Sequence, residues 1–166
     1  MKKLFLPLLL VCTALSSFAQ SSNGQGKFSI GAEAALPTGD AHELFNYGIG
    51  GSLKYEYPVS KTVFVTLSAG YESLHVKSEL QEPDSKSSFG FIPVKAGIKP
   101  YLDQGFFFEG QLGTVFSTEK DGGNSFLYSP GFGYTFNGGF EIAVRYEAWS
   151  NNGTIGQVGA RLAYRF

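Results

Sequence analysis

Bulky apolar side chains alternate with small or polar ones in eight successive segments between Lys27 and Phe166, and a period of two leaves few folds open. Successive side chains of a strand point to opposite faces, so such a pattern gives each strand one greasy face and one polar face. In the first segment Phe28, Ile30, Ala32, Ala34 and Leu36 oppose Ser29, Gly31, Glu33 and Ala35. In the second, Tyr47, Ile49, Leu53, Tyr55 and Tyr57 oppose Gly48, Gly50, Ser52, Lys54 and Glu56. The third sets Val63, Val65, Leu67, Ala69 and Tyr71 against Phe64, Thr66, Ser68, Gly70 and Glu72, and the fourth sets Ile92, Val94, Ala96 and Ile98 against Lys95, Gly97 and Lys99. Phe106, Phe108, Leu112 and Phe116 face away from Glu109, Gln111 and Gly113 in the fifth; Phe126, Tyr128, Phe132, Tyr134 and Phe136 face away from Ser129, Gly131, Gly133 and Thr135 in the sixth. The seventh alternates Phe140, Ile142, Val144 and Tyr146 with Glu141, Ala143, Arg145 and Glu147, and the eighth is the C-terminal tail. Clusters of Gly, Pro, Asn, Asp and Ser separate the segments, and no stretch carries a helical period.

Two irregularities stand out. The third segment slips after Glu72, where Leu74 and Val76 change phase, which predicts a bulge or the edge of the apolar belt. Pro93 and Pro130 each remove a ladder hydrogen bond inside a segment, which predicts local bulges at both. The connections after segments two, four and six are short; those after one (PTGDAHELFN) and three (SELQEPDSKSS) are long, that after five intermediate and that after seven modest. One end of the sheet is therefore expected to carry tight turns and both termini, the other polar loops, as in a barrel with periplasmic turns and extracellular loops.

Side-chain volume decides which face is inside. The polar face is rich in Gly, Ser and Ala, whereas the apolar face takes most of the 16 Phe and 9 Tyr. The interior of an eight-stranded barrel has room only for side chains that just fill it. Small residues beside a few long charged ones fit that space, and a dozen rings do not. The aromatics also gather near segment ends, as in the girdles of a bilayer-spanning barrel, and about ten tilted residues at ~3.3 Å each cross roughly the apolar band of such a barrel. A soluble sandwich or lipocalin-like barrel is the competing fold.

The N-terminus supports the membrane reading. Lys2 and Lys3 precede an apolar run from Leu4 to Leu15 and a small-x-small site at Ser17-Phe18-Ala19, the anatomy of a secretory signal peptide over 1–19. Residues 20–26 then form a short periplasmic segment and 27–166 the barrel. The single cysteine, Cys12, lies inside the signal, so no disulfide, thiolate or cysteine metal site is expected in the mature chain. Removing Lys2 and Lys3 leaves eleven basic against fourteen acidic residues, a net charge near −3 with no basic stripe, so nucleic acid is not an expected partner.

The closing RLAYRF completes the picture. With the signal peptide and the eight segments, it makes the chain resemble the small outer-membrane β-barrel family of Gram-negative bacteria, of the OmpX and OmpA-barrel type. The resemblance implies an all-β, eight-stranded antiparallel up-and-down transmembrane barrel, monomeric, embedded in outer-membrane lipid and lipopolysaccharide, with both termini periplasmic. It also implies that the stripe Val158, Ala160, Leu162, Tyr164 and Phe166 is the signal read by the barrel-assembly machinery.

The inward face carries Glu33, Glu56, Glu72, Glu109, Glu141 and Glu147 against Lys54, Lys95, Lys99, Arg145, Arg161 and Arg165. A confined charge must be paired, so a lumenal ion-pair network is expected, centred on Arg145, Arg161 and Glu33. Phe64 and Phe107 are expected to point inward and narrow the turn end. A filled lumen implies a structural or surface-interaction role exercised through the loops, with a narrow channel for water, ions or very small solutes as the alternative.

Catalysis is the weakest reading. AWSNNG is similar to the His-x-Ser-Asn element of lipid A deacylases at Ser150 and Asn151, but Ala148 holds the place of the histidine, so the general base is missing. Ser73 and His75 share a strand face without a third partner, and His42 is a lone loop histidine. Asp40, His42 and Glu43, or Glu79, Glu82 and Asp84, offer oxygen-rich loop clusters for Ca²⁺ or for bridging lipopolysaccharide, although such clusters are commonly just solvated. No catalytic residue, resident metal or cofactor is therefore expected.

Overall fold

The computed structural model describes residues 26–77, 79, 86–119, 122–151 and 153–166. The signal peptide with Cys12, most of segment 20–26, and Glu82 and Asp84 lie outside them. Eight strands, β1 (Lys27–Thr38), β2 (Phe45–Pro58), β3 (Val63–Val76), β4 (Ser88–Pro100), β5 (Phe106–Ser117), β6 (Asn124–Thr135), β7 (Phe140–Ser150) and β8 (Thr154–Arg165), pair in sequence order and close on themselves. Every pairing is antiparallel, and β1 with β8 completes the barrel. Closure abolishes sheet edges, so every strand has two hydrogen-bonded neighbours.

The faces divide as volume requires. Leu162 is 60% exposed, Phe132 49% and Val144 38%, whereas Arg161, the chain neighbour of Leu162, is 2% exposed and Lys99 is wholly buried. The outside is thus an apolar belt and the inside is charged, the inverse of a soluble barrel.

Three details differ from the sequence pattern. The expected bulges at Pro93 and Pro130 do not form. Ala69 pairs with Val94 and Glu72 with Phe91 in one register across Pro93, and Tyr128 pairs with Ala148 and Gly131 with Arg145 across Pro130. Each proline interrupts the ladder on one side only and keeps a partner on the other, Pro93 with Val115 and Pro130 with Gly110. The missing N–H removes rungs without adding a residue, so nothing shifts.

Nor does β3 slip after Glu72. Leu74 stays on the inward face and is fully buried; the change of phase is a change of lumen chemistry from polar to apolar. The irregularity lies on the facing strand, between Phe45 and Tyr47 of β2.

The loops are also less unequal than the sequence suggests. Strand pairing absorbs Pro37, Thr38, Phe45 and Asn46, leaving a β1–β2 connection of residues 39–44 that contains one helical turn, α1 (Ala41–Leu44). Only the β3–β4 connection, residues 77–87, is long. At the opposite end the turns are residues 59–62, 101–105 and 136–139, and both ends of the described chain lie beside them: Arg165 N donates to Gly139 O at 2.8 Å and Phe166 N to Phe28 O at 2.9 Å.

Candidate functional site

The lumen gathers nearly all the chemistry of this chain. Alternation delivers one inward residue every second position, and the small ones leave space for the long ones. At Gly31, for instance, a Cβ would lie 2.8 Å from Nε of Arg161, so an alanine there would collide with the guanidinium.

Eleven of the twelve inward charged groups form one connected network. Nearest the loop end, Lys95 pairs with Glu147 at 2.8 Å, and Glu147 accepts from Arg145 Nε at 2.9 Å. Arg145 Nη2 reaches Glu33 at 2.5 Å, and Glu33 also faces Arg161 at 3.4 Å. Arg161 spans the middle: it donates to Ser52 Oγ at 3.0 Å and Ser29 Oγ at 3.1 Å and pairs with Glu141 at 3.4 Å. Glu141 pairs with Lys99 at 2.5 Å and sits 3.9 Å from Lys54, whose main partner is Glu109 at 2.5 Å. Lys99 bridges on to Glu56 at 2.6 Å, and Glu56 pairs with Arg165 at 3.3 Å where the lumen opens at the turn end. The trio Arg145, Arg161 and Glu33 thus sits at the joint between the upper and lower halves. Glu72 is the exception: it is buried in the lumen but makes no ion pair among the described residues.

Side chains close both ends. At the turn end Lys99 Nζ lies 4.0 Å from the ring centre of buried Phe107, and Tyr101 packs on both Phe64 and Phe107 with centroids 5.5 Å apart. The Tyr101 hydroxyl bonds Thr135 at 2.9 Å and accepts from Arg165 at 2.7 Å. At the loop end Phe45, Leu74, Val115, Leu127 and Trp149 form a buried apolar cap, flanked by Phe89, Phe91 and Ile155. Trp149 Nε1 donates to Glu147 at 2.8 Å, tying the cap to the network. Between the closures the lumen retains a cavity of about 20 Å³, lined by Glu33, Lys54, Lys95, Glu109, Arg145 and Arg161 among others. That is room for about one water.

Tyr101 and the apolar cap are absent from the sequence reading. Leu127, Val115, Leu74 and Trp149 share strand parity with the inward polar residues, and that parity is the signal by which they were legible.

The remaining candidates are dispersed. Ser150 is exposed at the end of β7, Asn151 Nδ2 donates to Asn124 O at 2.8 Å, and Ala148 is buried. His75 turns outward and stacks on Tyr47 at 4.6 Å. Asp40, His42 and Glu43 are exposed on and beside α1, and Glu79 is exposed. The stripe Val158, Ala160, Leu162 and Tyr164 faces outward along β8, with the Tyr164 ring 5.2 Å from Phe140 and 6.2 Å from Phe166.

An outward apolar belt, a charged lumen and a closed eight-strand meander occur together in one class of protein, and residues 5–166 match the family model described as the outer membrane protein beta-barrel domain. This chain belongs to that family. It is an outer-membrane β-barrel that crosses the bilayer with its strands. No curated protein sequence matches it significantly. Among solved structures, this outer-membrane barrel is similar to Ail, the attachment invasion locus protein of Yersinia pestis, at 20% identity and a TM-score of 0.60, over 87% of this chain and 99% of that one. The N-terminal barrel domain of Pseudomonas aeruginosa OprF is similar at 15% identity and a TM-score of 0.58, over 86% and 100% of the two chains. The de novo designed barrel TMB2.3 is similar at 18% identity and a TM-score of 0.56, over 88% and 98%. A designed chain in this company shows that the shared fold carries no task with it.

Proposed function

We propose that this protein is a non-conducting outer-membrane barrel with a structural or surface-interaction role exercised through its loop end. The observation that carries the reading is the filled lumen, which has room for about one water between a rung of Phe107 and Tyr101 and a cap built on Trp149. A lumen so occupied leaves the outer wall and the loops to do the work.

The proposed orientation puts the turn end, with both chain ends, in the periplasm and the residues 39–44, 77–87, 118–123 and 151–153 outside. An ion pair between Lys86 and Glu119 and a bond from Thr118 Oγ1 to Gly90 O at 3.0 Å tie two of these connections together into a shaped surface. Ail has been solved with sucrose octasulfate, a heparin analogue. In the present chain acidic residues, Asp40, Glu43, Glu79 and Glu119 among them, outnumber lysines in the loop connections, which disfavours a polyanion of that kind. The charge suits a cationic surface, or lipopolysaccharide bridged through divalent cations. The barrel acts as a monomer, and its β8 stripe serves the assembly machinery.

The narrow-channel alternative has one observation in its favour, the continuous chain of charged groups from Lys95 to Arg165. Liposome swelling separates the two: exclusion of ions and small sugars, with altered adhesion in a deletion strain, supports the closed barrel, and steady uptake overturns it.

A further inference from the structure

Glu72 stands apart from every other charge in the lumen. It is 2% exposed, and neither carboxylate oxygen has a hydrogen-bond partner. Gln157, 1% exposed on β8, reaches toward it, yet both of its amide atoms are also unpartnered. Four buried polar atoms without partners at one place are costly and demand an occupant.

The surroundings select its charge. Glu147 and Glu33 are the carboxylates that act on it, and Lys95, Arg145 and, shared with Glu141, Arg161 are the cations bound to them, so every cation nearby is already engaged with another carboxylate. The sixth lumenal base, Arg165, is engaged with Glu56 at the opposite mouth and gives no local relief. The space beside Gly48 is taken by Glu72 and Leu74: a Cβ there would come 2.7 Å from Glu72 Oε1 and 2.8 Å from Leu74 Cδ2, so the glycine is what lets the carboxylate sit in this position. The donors are a carboxylate and an amide carbonyl, hard oxygens that suit a hard cation, and a single unpaired carboxylate suits a monovalent one.

We propose that Glu72 and Gln157 form a lumenal site for a single monovalent cation of the sodium or potassium class, held beneath the Trp149 cap. The ion supplies the missing partner of Glu72 and is taken up as the barrel closes.

Trp149 is the only tryptophan of the chain and bonds Glu147, so its emission reports on this end of the lumen. The mature protein is refolded in detergent with sodium, with rubidium as a potassium probe, or with choline alone at equal ionic strength, and the radioactive ion retained after dialysis is counted. One ion per barrel with sodium or rubidium, a tryptophan emission distinct from that in choline, and loss of both in Glu72→Gln support the site. Gln157→Leu, which leaves the carboxylate in place, is the second variant, expected to weaken retention at least tenfold. No retained ion in the wild type, retention unchanged in folded E72Q or, where E72Q fails to fold, unchanged in Q157L, or emission that follows pH and ignores the cation, overturns the proposal.

Discussion

Arg145 and Glu33 meet at 2.5 Å although 112 residues separate them and β8 lies between their strands. Glu33 also faces Arg161 of the intervening strand at 3.4 Å, so one carboxylate links three consecutive staves across the seam where the chain closes on itself. A closed barrel needs that seam held in register, and a buried carboxylate shared by two guanidiniums holds it with directional bonds.

Removing Glu33 takes one partner from each of two buried cations, leaving Arg145 with Glu147 and Arg161 with Glu141. Breaking a buried pair by deleting one partner costs about 3–5 kcal/mol, because the remaining charge keeps its desolvation penalty. Glu33→Ala is expected to lower the urea midpoint of the barrel refolded in lipid vesicles by an amount of that order. Adding Arg145→Met to Glu33→Ala recovers part of the loss. An unchanged midpoint in the single variant would show that water compensates the guanidiniums.

The two closures lie in series, which gives a conductance prediction. Trp149→Ala removes the largest side chain of the loop-end cap and Phe107→Ala the floor at the turn end, each at about 3–5 kcal/mol for a buried aromatic. Either single variant is expected to show the same near-zero conductance in planar bilayers as the wild type, since the other closure and the ion-pair network remain. Steady openings in Trp149→Ala alone would show that the network does not block ions.

Pattern and volume explain how much of this was legible in sequence. Facing was readable because Leu162 and Arg161 are neighbours of opposite character, and a one-residue error would turn every side chain over. The partners within the lumen were not, since Lys99 bonds Glu56 and Glu141 on strands two and three places away around the barrel, and strand tilt sets those heights. The solitude of Glu72 was invisible for the same reason: six acids and six bases balance in composition, and only geometry shows which acid is left over. Leu74 looked like a slipped register because an apolar residue on the inward face contradicts a polar lumen, and nothing in β3 alone reveals that Leu127 and Trp149 meet it there.

Lipid exposure of the outer face gives a third prediction. Val144 lies near the middle of β7, outward and beside Phe132 of β6. An arginine on the lipid face near the bilayer midplane costs about 2–4 kcal/mol, falling to ~0–1 near the interfaces. Val144→Arg is therefore expected to destabilise the vesicle-embedded barrel by that order, and Phe140→Arg, beside the turn-end residues, by much less. Equal effects would place the bilayer elsewhere on the wall.

The C-terminal stripe separates folding from delivery. In the structure Tyr164 pairs with Ile30 and Phe140, and Phe166 N bonds Phe28 O, so the last residues are ordinary ladder positions with modest packing. Substituting Ser for an outward residue at the end of a strand removes some ring contact, a loss of about 0.5–1.5 kcal/mol for the aromatic pairing, which the closed ladder tolerates. Tyr164→Ser with Phe166→Ser is therefore expected to refold in detergent to near the wild-type yield, read as heat-modifiable migration on an unboiled gel. In cells the same chain is expected to leave the outer-membrane fraction and accumulate unfolded, because the stripe proposed as the signal for the assembly machinery has lost its two rings. Equal depletion in detergent and in cells would make the stripe a packing element and remove the case for recognition.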